Sequence, residues 1–109
     1  MTWLVRDGDV LAAAELADTR AARRRGLLGR TDVEGVLVLR PCRQVHTFGM
    51  RMTIDVAFVD ALGVIRRIIT VAPNRVTRIS VGARMVLEAR AGAFDVWGLR
   101  VGDQIEIKQ

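Results

Sequence analysis

Residues 54–71, IDVAFVDALGVIRRIITV, constrain the fold of this chain more than any other stretch. Ile54, Val56 and Phe58 alternate with Asp55, Ala57 and Val59, the period-two pattern that sends successive side chains to opposite faces of a strand. A turn containing Asp60 and Gly63 follows, and Ile65, Ile69 and Val71 continue on a returning strand. The pattern is that of a β-hairpin, and it sets the β-rich character of everything around it.

The flanking segments extend the same theme. In WLVRDGDVLAAAEL, two apolar stretches meet at Asp7-Gly8, a dipeptide that accepts positive φ in a tight hairpin turn, which predicts strands over 2–6 and 10–17. ADTRAARRRGLLGR then predicts a short helix capped by Asp18 or Thr19 and ended by Gly29, with Ala17, Ala21 and Leu28 on one face. Gly26 inside that helix costs about 1 kcal/mol relative to alanine, which points to close packing of another backbone. GVLVL, residues 35–39, reads as a buried strand closed by Pro41. Further strands are expected near 84–90 and 104–108, with a short helix or turn over 91–97. Six or seven short strands with one or two small helices make an α+β fold, mostly antiparallel: a small compact β-rich domain or a partly open barrel.

At 109 residues with no linker-like run, the chain is expected to be a single domain spanning 1–109. Its 50% apolar content is enough for a core. The lone cysteine, Cys42, has no intramolecular partner for a disulfide, and the acidic Asp7 and Asp9 precede any apolar stretch long enough for a signal peptide. No 18 consecutive apolar residues occur, so no membrane span is expected, and the reading is of a cytoplasmic protein. Of 17 basic residues 16 are arginine, giving a net charge of +5. Five arginines and no acid lie within 19–30, and six arginines face Glu88 alone within 61–90. Such stretches build a basic face, although an arginine-rich coding background produces the same bias without a partner. No tyrosine is present and the aromatics sit in apolar company, which disfavours stacking on single-stranded nucleic acid.

CRQVHTFGMRMTIDVAF, residues 42–58, holds the only cysteine and the only histidine. With RGLLGR at 25–30, VLEARAG at 86–92 and GLRVGDQIEI at 98–107, this stretch resembles the domain-of-unknown-function 192 family, also called uncharacterised protein family 0127, in order and over nearly the whole chain. The residues that carry the resemblance include Gly26-Leu27, Val45 to Phe48, Met50, Ile54-Asp55, Leu87-Glu88, Gly92 and Gly102-Asp103. The resemblance implies a small β-rich domain of bacteria and archaea with one or two helices and no established biochemical activity. Another branch of the family carries a bulky aromatic and a lysine-containing segment in place of HTFGMRM.

The candidate site residues are His46, Met50, Arg51, Asp55, Glu88, Cys42 and Arg75. His46 is the sharpest, since an imidazole near neutral pKa transfers protons, ligates metal or orients a carboxylate; the plainer alternative is a half-buried histidine bonded to backbone or to Asp55. Asp55 and Glu88 sit among strand hydrophobes and need partners, for which Arg51, Arg75 and His46 are available. Cys42 and His46 meet as nucleophile and base only if the chain turns at Arg43-Gln44, because four extended residues separate their α carbons by about 13 Å. A Cys-x-x-x-His pair offers two metal ligands with no second cysteine or histidine to add, so no metal is expected. Neither phosphate-binding nor dinucleotide-binding glycine fingerprint is present, so no nucleotide cofactor is expected.

Three functions follow. The first is binding of a small ligand or protein partner where 42–52 meets Glu88. The second is an enzyme using His46 with Asp55 or Glu88 for proton transfer. The third is nucleic-acid binding through Arg20, Arg23, Arg24 and Arg25 with Arg66 and Arg67. Val45, Phe48, Ile54, Val56 and Phe58 are expected to form the core of this region.

Overall fold

A computed structural model describes residues 1–109. Seven strands and two short helices follow one another as β1 (Thr2–Arg6), β2 (Asp9–Ala17), α1 (Arg20–Arg25), β3 (Val36–Leu39), β4 (Ile54–Asp60), β5 (Ile65–Val71), β6 (Ala83–Arg90), α2 (Ala93–Val96) and β7 (Glu106–Lys108). The strands form one sheet in the order β5-β4-β6-β3-β2-β1-β7. Every neighbouring pair is antiparallel except β2 and β3, which run parallel on either side of α1. The expected hairpins are both present. Asp7 and Gly8 take positive φ between β1 and β2. Between β4 and β5, the Asp60 carboxylate accepts from the amides of Leu62 and Val64.

The sheet is not closed, yet it curls until its edges communicate. The amides of Ile65 and Ile105 donate to the carbonyls of Asp103 and Gly63, joining the β5 edge to the segment that leads into β7. Gly63 is required at this contact: its φ is +81°, and a Cβ there would stand 2.5 Å from the Ile105 carbonyl oxygen.

The curl creates a core on each face. Leu37, Leu39, Ile54, Val56, Phe58 and Val86 point to the face that α1 and the 40–53 connection cover. Val36, Val38, Ala57, Val59 and Leu87 point to the other, under Phe94 of α2, Leu99 and Ile105. In β3 and from Ile54 to Val59 in β4, every residue is therefore buried, although the sequence of β4 alternates in chemistry as well as direction.

α1 differs from its sequence-based expectation. It is capped by the Thr19 hydroxyl, which accepts from the Ala22 amide, but it ends at Gly26 rather than Gly29. Gly26 leaves the helical region with φ 49° and ψ −131°. Ala17 consequently belongs to β2, Ala21 and Leu28 are exposed, and Leu27 is the residue that enters the core. What stands beside Gly26 is a side chain, not another backbone: a Cβ there would lie 3.4 Å from Glu88 Oε1.

Candidate functional site

The segment from Cys42 to Met50 has no named strand, but it is held against residues 72–84 by a ladder of bonds. The Cys42 amide donates to the Arg84 carbonyl and the Ser80 amide to that of Arg43. Thr77 donates its amide to the Val45 carbonyl while its hydroxyl accepts from the Val45 amide. Thr47, fully buried, donates its amide to the Arg75 carbonyl, and its hydroxyl accepts from the Arg75 amide and donates to the Ala72 carbonyl at 2.7 Å. A single β-bridge joins His46 to Val76.

Extended chain alternates, and that alternation decides which residues face inward. Val45 and Thr47 are buried, so His46 and Phe48 point out. The expectation that Phe48 belongs to the core with Val45 is therefore corrected: three residues apart on an extended segment, the two take opposite sides, and Phe48 is 54% exposed. His46 and Phe48 instead stack, with ring centroids 5.6 Å apart and planes 26° from parallel. Because His46 is exposed and makes no side-chain hydrogen bond within the chain, His46→Ala should change unfolding free energy by no more than about 0.5 kcal/mol. Chemical denaturation of the variant checks this.

Between this segment and α1 opens a cleft of about 430 Å³. Arg20, Arg23, Arg24 and Arg25 with the Gly26–Leu28 turn form one wall, and Pro41 to Met50 with Ile79 form the other. Leu39 of β3 and Glu88 of β6 lie between them. Glu88 is 3% exposed, and its Oε1 has no hydrogen-bond partner in the protein. Burial without a compensating cation pushes its carboxyl pKa up to about 7. Cys42 also lines the cleft. Its thiol donates to the Gln44 carbonyl, and burial raises its pKa further from the thiolate range, with the nearby Glu88 adding to the effect. No hydrogen bond joins Cys42 to His46 or His46 to Glu88, although all three line the same cleft.

The structure thus brings together four of the seven candidates: Cys42, His46, Met50 and Glu88. The other three lie elsewhere. Asp55 is buried on the opposite face, where it accepts from the Thr70 hydroxyl and from the amides of Gly92 and Phe94, fixing the start of α2. A His46–Asp55 pair is therefore not formed, because the sheet stands between them. Asp55→Ala strands three donors and should cost about 1–3 kcal/mol, measurable by urea unfolding. Arg51 is exposed and outside the cleft, while Arg75 bonds the Asn74 carbonyl. Conversely, sequence reasoning offered Arg20 and Arg23 to Arg25 only as a nucleic-acid contact and did not assign them, Leu28 or Ile79 to the cleft. The run of arginines was visible; that it lines the same cleft as Glu88 was not.

Arg66 and Arg67, grouped with the α1 arginines in the nucleic-acid reading, lie on edge strand β5, where each has a partner. Arg66 pairs with Asp60 at 2.7 Å, and the Arg67 guanidinium lies 4.9 Å over the Phe58 ring on edge strand β5. No cluster of three or more His, Cys, Asp or Glu side chains is placed to hold a metal ion. No helix is long and apolar enough to cross a membrane.

The family model DUF192, described as "Uncharacterized ACR", matches residues 3–107, nearly the whole chain. The chain belongs to the DUF192 family. Two solved structures share the fold of this DUF192 chain. One is a protein of unknown function from Novosphingobium aromaticivorans, 22% identical, with a TM-score of 0.81 over 96% of this chain and 82% of the other. The second, a "putative transcription regulator" from Sinorhizobium meliloti, is also 22% identical, with a TM-score of 0.80 over 97% and 91% of the two chains. At that identity the likeness is one of fold. No curated protein matches the chain.

Proposed function

We propose that this DUF192 chain is a one-domain, small-molecule-binding module whose ligand occupies the cleft between α1 and the 41–50 segment. One observation carries the reading: the Glu88 carboxyl, almost wholly buried, stands at that cleft with Oε1 unpartnered. A buried polar group without a partner costs about 1–3 kcal/mol, which a fold retains where the group meets something from outside. The surroundings suit a small molecule, since the volume falls in the range of ordinary ligand sites and 8 of the 18 lining residues are hydrophobic. A free, half-buried Cys42 fits a reducing compartment, in keeping with the cytoplasm.

An untargeted metabolite screen by thermal shift tests the proposal, because a ligand bound only by the native state raises the melting temperature with concentration. Wild type should gain stability with a cleft ligand, and His46→Ala and Glu88→Gln should lose that gain. A ligand response preserved in both variants would move the site elsewhere.

Proton transfer by Glu88 is a second reading, supported by a carboxyl pKa near neutrality in a cleft that His46 also lines. A ligand of the first screen that is turned over by wild type and not by Glu88→Gln would establish it. For nucleic acid, the name of the Sinorhizobium relative and the free arginines of α1 are the supports. Duplex DNA affinity at physiological salt no tighter than about 10⁻⁴–10⁻⁶ M would remove that reading.

A further inference from the structure

The charges around the cleft are arranged unevenly. Five arginines line it, Arg20, Arg23, Arg24, Arg25 and Arg43, against the single acid Glu88. None of the five takes part in the four ion pairs of the chain. Arg23 is held by the carbonyls of Asp18 and Arg40, whereas the other four side chains make no hydrogen bond within the protein. Those four are mostly exposed, while Glu88 is buried. The cleft is therefore cationic on its accessible wall and acidic at its enclosed end. Gly26, which has no side chain, keeps the space beside Glu88 clear.

A ligand with only an anionic group satisfies the arginines but leaves the Glu88 carboxyl without a donor. One with only a cationic group must approach past five like charges. A molecule carrying both meets both requirements, and Leu28, Phe48 and Ile79 offer apolar contact to the carbon frame between them.

We infer that the cleft binds a small zwitterion, its ammonium or other N–H donor on the Glu88 carboxyl and its carboxylate or phosphate on the α1 arginines. This rests on the proposal that the cleft is a ligand site, and deepens it by naming the chemical class. The anionic end gains charge-assisted bonds at an accessible wall, and the donor end satisfies an acceptor that the fold leaves unmatched. Specificity comes mainly from the buried end, since a site built to pair a donor rejects analogues that lack it.

The test uses the full chain and matched probes: leucine, methionine, 5-aminopentanoate and 6-aminohexanoate, each beside the acid without its amine and the amine without its acid. Calorimetry and thermal shift should find at least one amino acid binding tenfold or more tighter than both of its truncated forms. Glu88→Gln should erase the advantage over the acid, and Arg24→Ala, a substitution at an exposed position, should reduce the advantage over the amine. Acids binding as tightly as their amino acids, or a preference that survives Glu88→Gln, would overturn the zwitterion. So would a cleft ligand of other chemistry from the untargeted screen with none of these probes binding, and the cleft would then stand as a site. If neither screen nor probes yield any ligand, the cleft reading fails and the zwitterion with it.

Discussion

Phe58→Ala should lower the unfolding free energy by about 3–5 kcal/mol, the cost of removing a large side chain from a packed core. Phe58 is fully buried, on a strand flanked by β5 and β6, and it packs in the same core as Ile54, Val56, Leu37 and Val86. Its ring also carries the guanidinium of Arg67, one nitrogen of which is buried without a hydrogen-bond partner. Truncation leaves a cavity and removes the ring from under the Arg67 guanidinium, so the cation–π contact is lost with the packing. Equilibrium urea unfolding measures it. A loss below about 1 kcal/mol would mean that this face is not the packed core the sheet register implies.

Glu88 should make the protein less stable as pH rises from about 4.5 to 7. In the unfolded chain this carboxyl ionises near 4.5, whereas burial holds it to about 7 in the fold. Between those values the unfolded state has released the proton that the native state keeps, so stability falls with rising pH and levels off above the native value. At roughly 1.4 kcal/mol for each tenfold, the gap corresponds to about 3 kcal/mol. Asp60 and Asp103 act in the opposite sense and at lower pH. Backbone amides, of Val64 and Arg100 respectively, hold their carboxyls below 3.8, so their contribution is lost as pH falls beneath that value. Urea unfolding of wild type and Glu88→Gln across pH 4 to 8 isolates the effect. The difference between the two proteins should change by about 3 kcal/mol over that span, with the variant gaining on wild type as pH rises. Parallel curves would show that Glu88 meets solvent freely.

The hairpins, the strand at β3 and the β-rich class were legible in the chain because they rest on local chemistry, whereas the parallel pairing of β3 with β2 was not. Asp7-Gly8 accepts positive φ wherever it stands, and IDVAFVD alternates whether or not anything covers it. The order of motifs was also sufficient to indicate the family. Within the candidate site, Cys42, His46, Met50 and Glu88 were found from residue type alone, as unusual groups in apolar segments. Local chemistry was not enough to place Phe48, whose side is fixed by the pairing of 42–50 with 72–84; a hydrophobic residue reads as core until its register is known. The same limit applies to the helix end. Gly26 and Gly29 are both able to stop α1, and only in the fold, where Leu27 enters the core, is the helix seen to end at Gly26.

Sequence by itself determined the strands, the turns and the supply of arginines and acids, since each depends on neighbours a few residues apart. The tertiary structure alone decided which acid is structural and which is open. Asp55 and Glu88 are both carboxylates within apolar strands, and both are buried, at 5% and 3% exposure. Asp55 ↔ Ala89 and Val56 ↔ Glu88 are adjacent rungs of the β4–β6 ladder, so the two acids project to opposite faces of one sheet. One face brings the amides of Gly92 and Phe94 to Asp55; the other brings Gly26 beside Glu88 and opens onto a cleft that the α1 arginines also line, with no donor on its Oε1. Burial energy depends on what the opposing layer offers, and that layer comes from residues more than 30 positions away in the chain.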